Sequence, residues 1–163
     1  VILLHGLGSD GKDMREMFEP FRALYPEVSA KTLLLTPDAP IRTVRYFGGQ
    51  PMRGWSDIFG LDIAAPDDWE GFEESRQVVE ELITSTLNVH PSIKNIILGG
   101  FSQGAALTYC VALQSKRPEL KAAVIMSGWL PARETPLLDK ITDLGRSLPI
   151  LQIHGTMDQM VPL

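Results

Sequence analysis

The sequence predicts an α/β protein in which a mostly parallel sheet carries helices on both faces. Two observations carry that prediction. Short apolar runs recur along the chain, and helical patterns fall between most of them. The runs at 1–4, 32–36, 95–98, 122–126 and 149–153 read as strands buried on both faces. Parallel strands covered by helices on each side are continuously apolar rather than alternating. Strands separated by helices imply right-handed crossovers and therefore a parallel sheet.

Taken in order, the first strand runs into His5-Gly6-Leu7-Gly8. Met14, Met17, Phe18, Phe21 and Leu24 then follow helical spacing on one face, with Pro20 predicting a kink or a break. The run at 32–36 is the second strand. Residues 38–68 break the rhythm with Pro40, Pro51, Pro66 and the pair Gly48-Gly49, and read as a long irregular segment. Phe72, Val78, Val79, Leu82, Ile83 and Leu87 mark the second helix, and 107–113 the third. Residues 131–148 are again irregular, with a short helix near 137–144. The 163 residues fit a single domain, 1–163, large enough to bury a core.

Composition removes several function classes. A net charge of −5 argues against nucleic acid, which needs a clustered basic surface. No apolar run approaches the roughly 18 residues that cross a bilayer. Cys110 is the single cysteine, so it forms no disulfide within the chain and no paired zinc or redox motif. It falls in an apolar helical run and reads as packing. A reducing, cytoplasmic setting suits this pattern.

The strongest chemical signal is Gly100-Phe101-Ser102-Gln103-Gly104, after the run NIILG and before the helical run AALTYCVAL. Serine is a weak nucleophile that must be presented to a base with its oxygen exposed, and a strained strand-to-helix turn does this. Small residues two before and two after let strand and helix pack closely around it. Acyl transfer also needs N–H donors where the tetrahedral oxyanion forms. In this arrangement, the α/β-hydrolase fold, one donor follows the nucleophile (Gln103) and the other lies after an early strand, where Leu7 is the candidate. The triad acid follows the nucleophile in the chain. Asp158, in His154-Gly155-Thr156-Met157-Asp158, lies on the loop where it belongs.

A rival reading uses the same opening loop. Gly6-x-Gly8-x-x-Gly11 after a strand and before a helix is the dinucleotide fingerprint, with Asp38 as a late and proline-preceded ribose acid. It leaves Ser102 unexplained. The general base should follow Asp158, yet the histidines are His5, His90 and His154. His90 precedes a proline at a helix end and reads as exposed. His5 and His154 end strands and read as bonded to their own loops.

The segments LHGLGSDGKDM, TPDAPIRTVRYFGGQPMRGWSDI, IILGGFSQGAAL, SGWLP and LQIHGTMDQMVPL together resemble the phospholipase/carboxylesterase family, which includes acyl-protein thioesterases. The resemblance implies a cofactor-free, metal-free serine hydrolase of carboxylic esters or thioesters, with an acylated protein or a lysophospholipid among its substrates. By it Ser102 is the nucleophile, Asp158 the triad acid, and Leu7 and Gln103 the oxyanion donors. Leu7, Trp129 and Met160 would line the acyl pocket, and Trp55 would lie near its entrance. The family's histidine lies after a further strand. With the start at Val1 and the end at Leu163, this predicts a piece of a longer protein, without its C-terminal strand and helix and inactive by itself. A non-catalytic acyl-binding protein is the alternative.

Overall fold

The computed structural model describes residues 1–62, 64–131 and 135–161. Strand β1 (Ile2–Leu4) leads to helix α1 (Gly11–Leu24), a short helix α2 (Pro26–Ser29), and an antiparallel ribbon of β2 (Ile41–Val44) and β3 (Gln50–Arg53). Helix α3 (Trp69–Val89), strand β4 (Ile96–Phe101), helix α4 (Gln103–Gln114) and strand β5 (Leu120–Met126) follow. Helix α5 (Asp143–Ser147) and strand β6 (Ile150–Ile153) complete the order. The main sheet runs β1-β4-β5-β6 with every pair parallel. The predicted α/β architecture is therefore the observed one.

Capping explains where the helices begin. The Asp10 carboxylate accepts from Lys12 N–H (2.8 Å) and Asp13 N–H (3.3 Å) at the start of α1. Asp68 accepts from Gly71 N–H at α3, and Thr142 from Gly145 N–H at α5. Each satisfies a donor that the first helical turn leaves without a partner. Burial explains how the helices sit. Phe72, Val79 and Ile83 of α3 and the 106–113 stretch of α4 join Ile2, Leu4, Ile96, Leu98, Leu120 and Ala123 in one core. Cys110 is buried inside it, where desolvation pushes its thiol well above the ordinary range, so it is inert packing as predicted.

Four expectations need correction. The run at 32–36 makes only a single bridge, Leu35 to Ile2, and forms no full strand. Part of the supposedly irregular 38–68 segment is the β2–β3 ribbon. Pro51 hid it, because a proline is tolerated on a two-stranded ribbon but argues against a strand in sequence. Of the kink or break expected at Pro20, the break does not occur, since helix α1 runs on through it. Residue 20 is exposed, so the donor that proline removes is missed only on the solvent side. Last, β6, which pairs with β5 on one side, is exposed along its whole length rather than buried on both faces.

The apolar stripe of α1 is covered only at its start. Met14 is buried, but Met17, Phe21 and Leu24 are exposed. Leu107→Ala should therefore cost about 2–5 kcal/mol in urea unfolding. Leu24→Ala should stay within about 0.5 kcal/mol of the parent.

Candidate active site

Ser102 connects the end of β4 to the start of α4 with φ 52° and ψ −118°, a backbone that non-glycine residues rarely adopt. The turn is held from both sides. Ser102 N–H donates to Met126 O (2.9 Å), and its carbonyl accepts from Ala105 and Ala106. A Cβ on Gly100 would lie 2.2 Å from Gly104 O, and one on Gly104 would lie 2.3 Å from Leu4 O and 2.5 Å from His5 O. Both glycines are thus forced by contact between backbones. Serine in front of a helix ordinarily caps it, but the Ser102 side chain makes no capping bond to α4. The hydroxyl is left for other work, on a side chain that is partly exposed as predicted.

The remaining predicted residues fall into two groups. Leu7, Gln103 and Ser102 line one cavity of about 510 Å³, together with Trp129 and Met160. Gln103 is the first residue of α4, so its N–H belongs to the turn whose donors have no partner within the helix. Met14, Met17, Phe47, Ile58 and Leu61 also line this cavity, and sequence reasoning had not assigned them to a site. A second cavity of about 760 Å³ shares the Trp129 and Met160 wall and continues past Phe72, Tyr109 and His154. Trp129 is fixed between them, its indole donating to Asp67 Oδ1 (2.7 Å) and its ring edge-on to Phe72.

Trp55 is the misplaced prediction. It is 0% exposed and lines neither cavity. Its indole N–H donates to His5 O (2.8 Å), and its carbonyl accepts from the Ser75 hydroxyl. It is a core residue behind the loop 5–8, not an entrance. A second strained residue, Ser127 (φ 47°), also went unpredicted. It leads into Gly128, where a Cβ would lie 2.4 Å from Ala105 Cβ and 3.1 Å from Ser102 O.

The loop after β6 reaches the Ser102 cavity through Met160 and Val161. The Asp158 carboxylate itself is held by its own loop. Oδ1 accepts from Met160 N–H and Val161 N–H, both at 3.0 Å. The bond from Val161 is the largest cause holding this carboxyl below its usual range, with the Met160 bond and the His154 charge adding to it. Oδ2 lies 3.7 Å from His154 Nε2, which donates to Val161 O (2.6 Å). His5 is fully buried and uses both ring nitrogens. Nε2 accepts from Ala39 N–H (2.9 Å), so Nδ1 carries the proton and donates to Gly6 O (2.7 Å). His90 is exposed at the end of α3.

The dinucleotide reading fails on the same loop. A pyrophosphate needs the free N–H groups at the start of α1. Those of Lys12 and Asp13 are taken by Asp10. Gly11 N–H donates to Asp38 Oδ1 (2.8 Å), the acid that should have met a ribose. Two carboxylates already occupy the place of an anionic ligand. Among the described residues no group of three or more His, Cys, Asp or Glu side chains could hold a metal ion, and no helix is long and apolar enough to cross a membrane.

Comparison with known proteins agrees with this geometry. The sequence model of the phospholipase/carboxylesterase family matches residues 1–163. The acyl-protein thioesterase 1 homolog 1 of Dictyostelium discoideum is 32% identical over 162 residues, covering 99% of this chain and 69% of that protein. In an acyl-protein thioesterase 1 of Cryptococcus neoformans, also 32% identical, the chain spans 66% of the length. The crystal structure of Zea mays acyl-protein thioesterase 2 superposes with a TM-score of 0.76 at 31% identity, covering 99% of this chain and 72% of that one.

Two outcomes follow from the geometry. Gly104→Ala should destabilise by about 1–3 kcal/mol or more, because its methyl group meets backbone carbonyls. Gly8→Ala, whose Cβ meets nothing within 4 Å, carries only the strain of φ 75°; paired thermal melts separate the two. The Asp158 carboxyl should titrate below the ordinary value of about 3.9 in an NMR pH series. Because its native pKa is depressed, its contribution to stability is present above the unfolded pKa and is lost as pH falls through the folded one.

Proposed function

The chain belongs to the phospholipase/carboxylesterase family, and from that premise we propose that it hydrolyses carboxylic esters or thioesters by acyl transfer through Ser102. The observation that carries the proposal is the strained backbone of Ser102, whose side chain makes no capping bond to α4. In this reading the Ser102 oxygen attacks the acyl carbonyl while a general base takes its proton. The oxyanion gathers hydrogen bonds from the N–H groups of Leu7 and Gln103. Collapse expels the alcohol or thiol, which receives the proton, and water then attacks the acyl-enzyme to release the acid. The acyl chain lies in the cavity lined by Met14, Met17 and Met160, whose flexible thioethers adapt to varied shapes. Substrates of this class are small acyl esters and thioesters. The thioesterase relatives favour an acylated protein among them, ahead of a lysophospholipid.

Asp158 is proposed as the acid that orients an imidazole. The sequence has no histidine after position 154. His5 already accepts a hydrogen bond at its only basic nitrogen, and His154 lines the cavity that does not include Ser102. We therefore propose that the 163-residue chain turns over slowly, at the residual level of roughly 10³–10⁴-fold over water that a triad without its base retains. The same observation favours a second reading, a protein that binds acyl groups without cleaving them.

Added imidazole distinguishes the two. It should raise the rate of p-nitrophenyl butyrate hydrolysis by this chain above the protein-free imidazole reaction, and Ser102→Ala should remove the increment. An increment that survives Ser102→Ala would refute the nucleophile. A folded chain that binds a fatty acid but shows no increment would establish the binder.

A further inference from the structure

Residues 54–56 lie in no strand or helix, yet they are buried, Trp55 and Ser56 completely. Buried backbone outside a ladder must find its hydrogen bonds elsewhere. Gly54 N–H donates to Pro40 O (3.0 Å), and Gly54 O accepts from Arg42 Nε (3.1 Å). Trp55 O accepts from Ser75. Three further groups are met by one side chain. Gln103 Oε1 accepts from Trp55 N–H (2.8 Å), while Gln103 Nε2 donates to Ser56 O (2.9 Å) and Ser56 Oγ (3.0 Å). Gln103 is 1% exposed and stands at the elbow itself.

The strip is tied equally firmly to the other half of the site. The Trp55 indole donates to His5 O, and Gly8 N–H donates to Arg53 O (2.8 Å). These bonds fall on either side of Leu7. A Cβ on Gly54 would lie 2.9 Å from Leu7 Cδ1 and 3.4 Å from Gln103 Oε1, so the strip passes directly behind both residues. From this we infer that the Gln103 carboxamide is a positioning group. It fixes the strip 54–56, and through it the place of the Leu7 N–H relative to the N–H of Gln103. One residue supplies an oxyanion donor from its backbone and sets the position of the other from its side chain. The role rests on the reading of Ser102 as nucleophile, but the mechanical link does not.

The chemistry calls for an amide. The strip presents a donor at Trp55 N–H and an acceptor at Ser56 O, and glutamine offers one acceptor and two donors on a planar group. Methionine has a similar length and can match neither. Glutamate can match both only while protonated, and burial raises the pKa of such a carboxyl.

The link is tested in the 163-residue chain without turnover, by amide and indole hydrogen exchange. In Gln103→Met, Gly8 N–H and the Trp55 indole N–H should exchange at least about tenfold faster, while the amides of β5 keep their protection. Unchanged protection at both positions in a folded variant would overturn the link, whatever the chemistry of Ser102. The catalytic part is read from the Ser102-dependent, imidazole-supported rate. Gln103→Met should lower kcat by about 10- to 100-fold with KM within about twofold, short of the 10²–10³ that follows loss of a whole oxyanion donor. For Gln103→Glu, the rate relative to the parent at the same pH should climb from about pH 8 to about pH 5 as the carboxyl takes up its proton. A ratio flat with pH, or a Gln103→Met variant with parental kcat, would defeat the positioning role. Should Gln103→Met fail to fold, Gln103→Glu at low pH decides alone.

Discussion

The contact between the α4 entrance and the backbone of β1 is the constraint from which the site follows. Gly104 lies so close to Leu4 O and His5 O that any side chain there would penetrate them. Gly100 is closed in the same way by Gly104 O. With strand and helix brought this near, the residue between them cannot keep an ordinary backbone, and Ser102 takes φ 52°. Strain of this kind costs of order 1–3 kcal/mol and persists only where the surroundings over-determine it. Here the surroundings are two glycines, the Met126 carbonyl and the first turn of α4. The same closeness places the loop after β1 beside the elbow, so the residues proposed as nucleophile and oxyanion donor come from one packing event.

The elbow was legible in sequence because its requirements are local. Two glycines and a serine at fixed spacing, between a strand pattern and a helix pattern, state the geometry almost completely. Cys110 and the core face of α3 were legible for a related reason, since periodicity reports burial. Trp55 was not. An apolar aromatic reads the same at a pocket mouth and in a core, and what decides is its bonding to His5, Ser75 and Gln103, up to 50 positions away in the chain. The β2–β3 ribbon was hidden by Pro51, and the exposure of β6 by an apolar composition identical to that of a central strand. Both ends of the sheet are apolar, yet β1 is buried and β6 exposed, so composition alone does not say which run is covered.

Gln103 shows why a motif can be right and still incomplete. GxSxG leaves its fourth position open, because only the backbone N–H is required there by the chemistry. In this fold the side chain at that position is enclosed on every side and meets three polar groups of a buried strip without regular structure. A buried network of this sort is favourable only when every member is satisfied. These bonds join three stretches far apart in sequence, 5–8, 53–56 and 102–103, into one hydrogen-bonded unit behind Ser102.

Proton accounting finally separates the roles of the histidines. A general base needs a lone pair directed at the serine hydroxyl and a partner for the imidazolium that forms. His5 spends its lone pair on Ala39 N–H, so both ring nitrogens are committed to holding the loop after β1. His154 gives its Nε2 proton to Val161 O and keeps that same nitrogen 3.7 Å from the Asp158 carboxylate. It therefore helps to shape the loop that presents Asp158, and Met160 and Val161 of that loop reach the Ser102 cavity. Both rings hold structure on which acyl transfer at Ser102 would depend. Neither ring hydrogen-bonds to the Ser102 hydroxyl, so on the proposed acyl-transfer reading the histidines at 5 and 154 hold the loops around Ser102 in place.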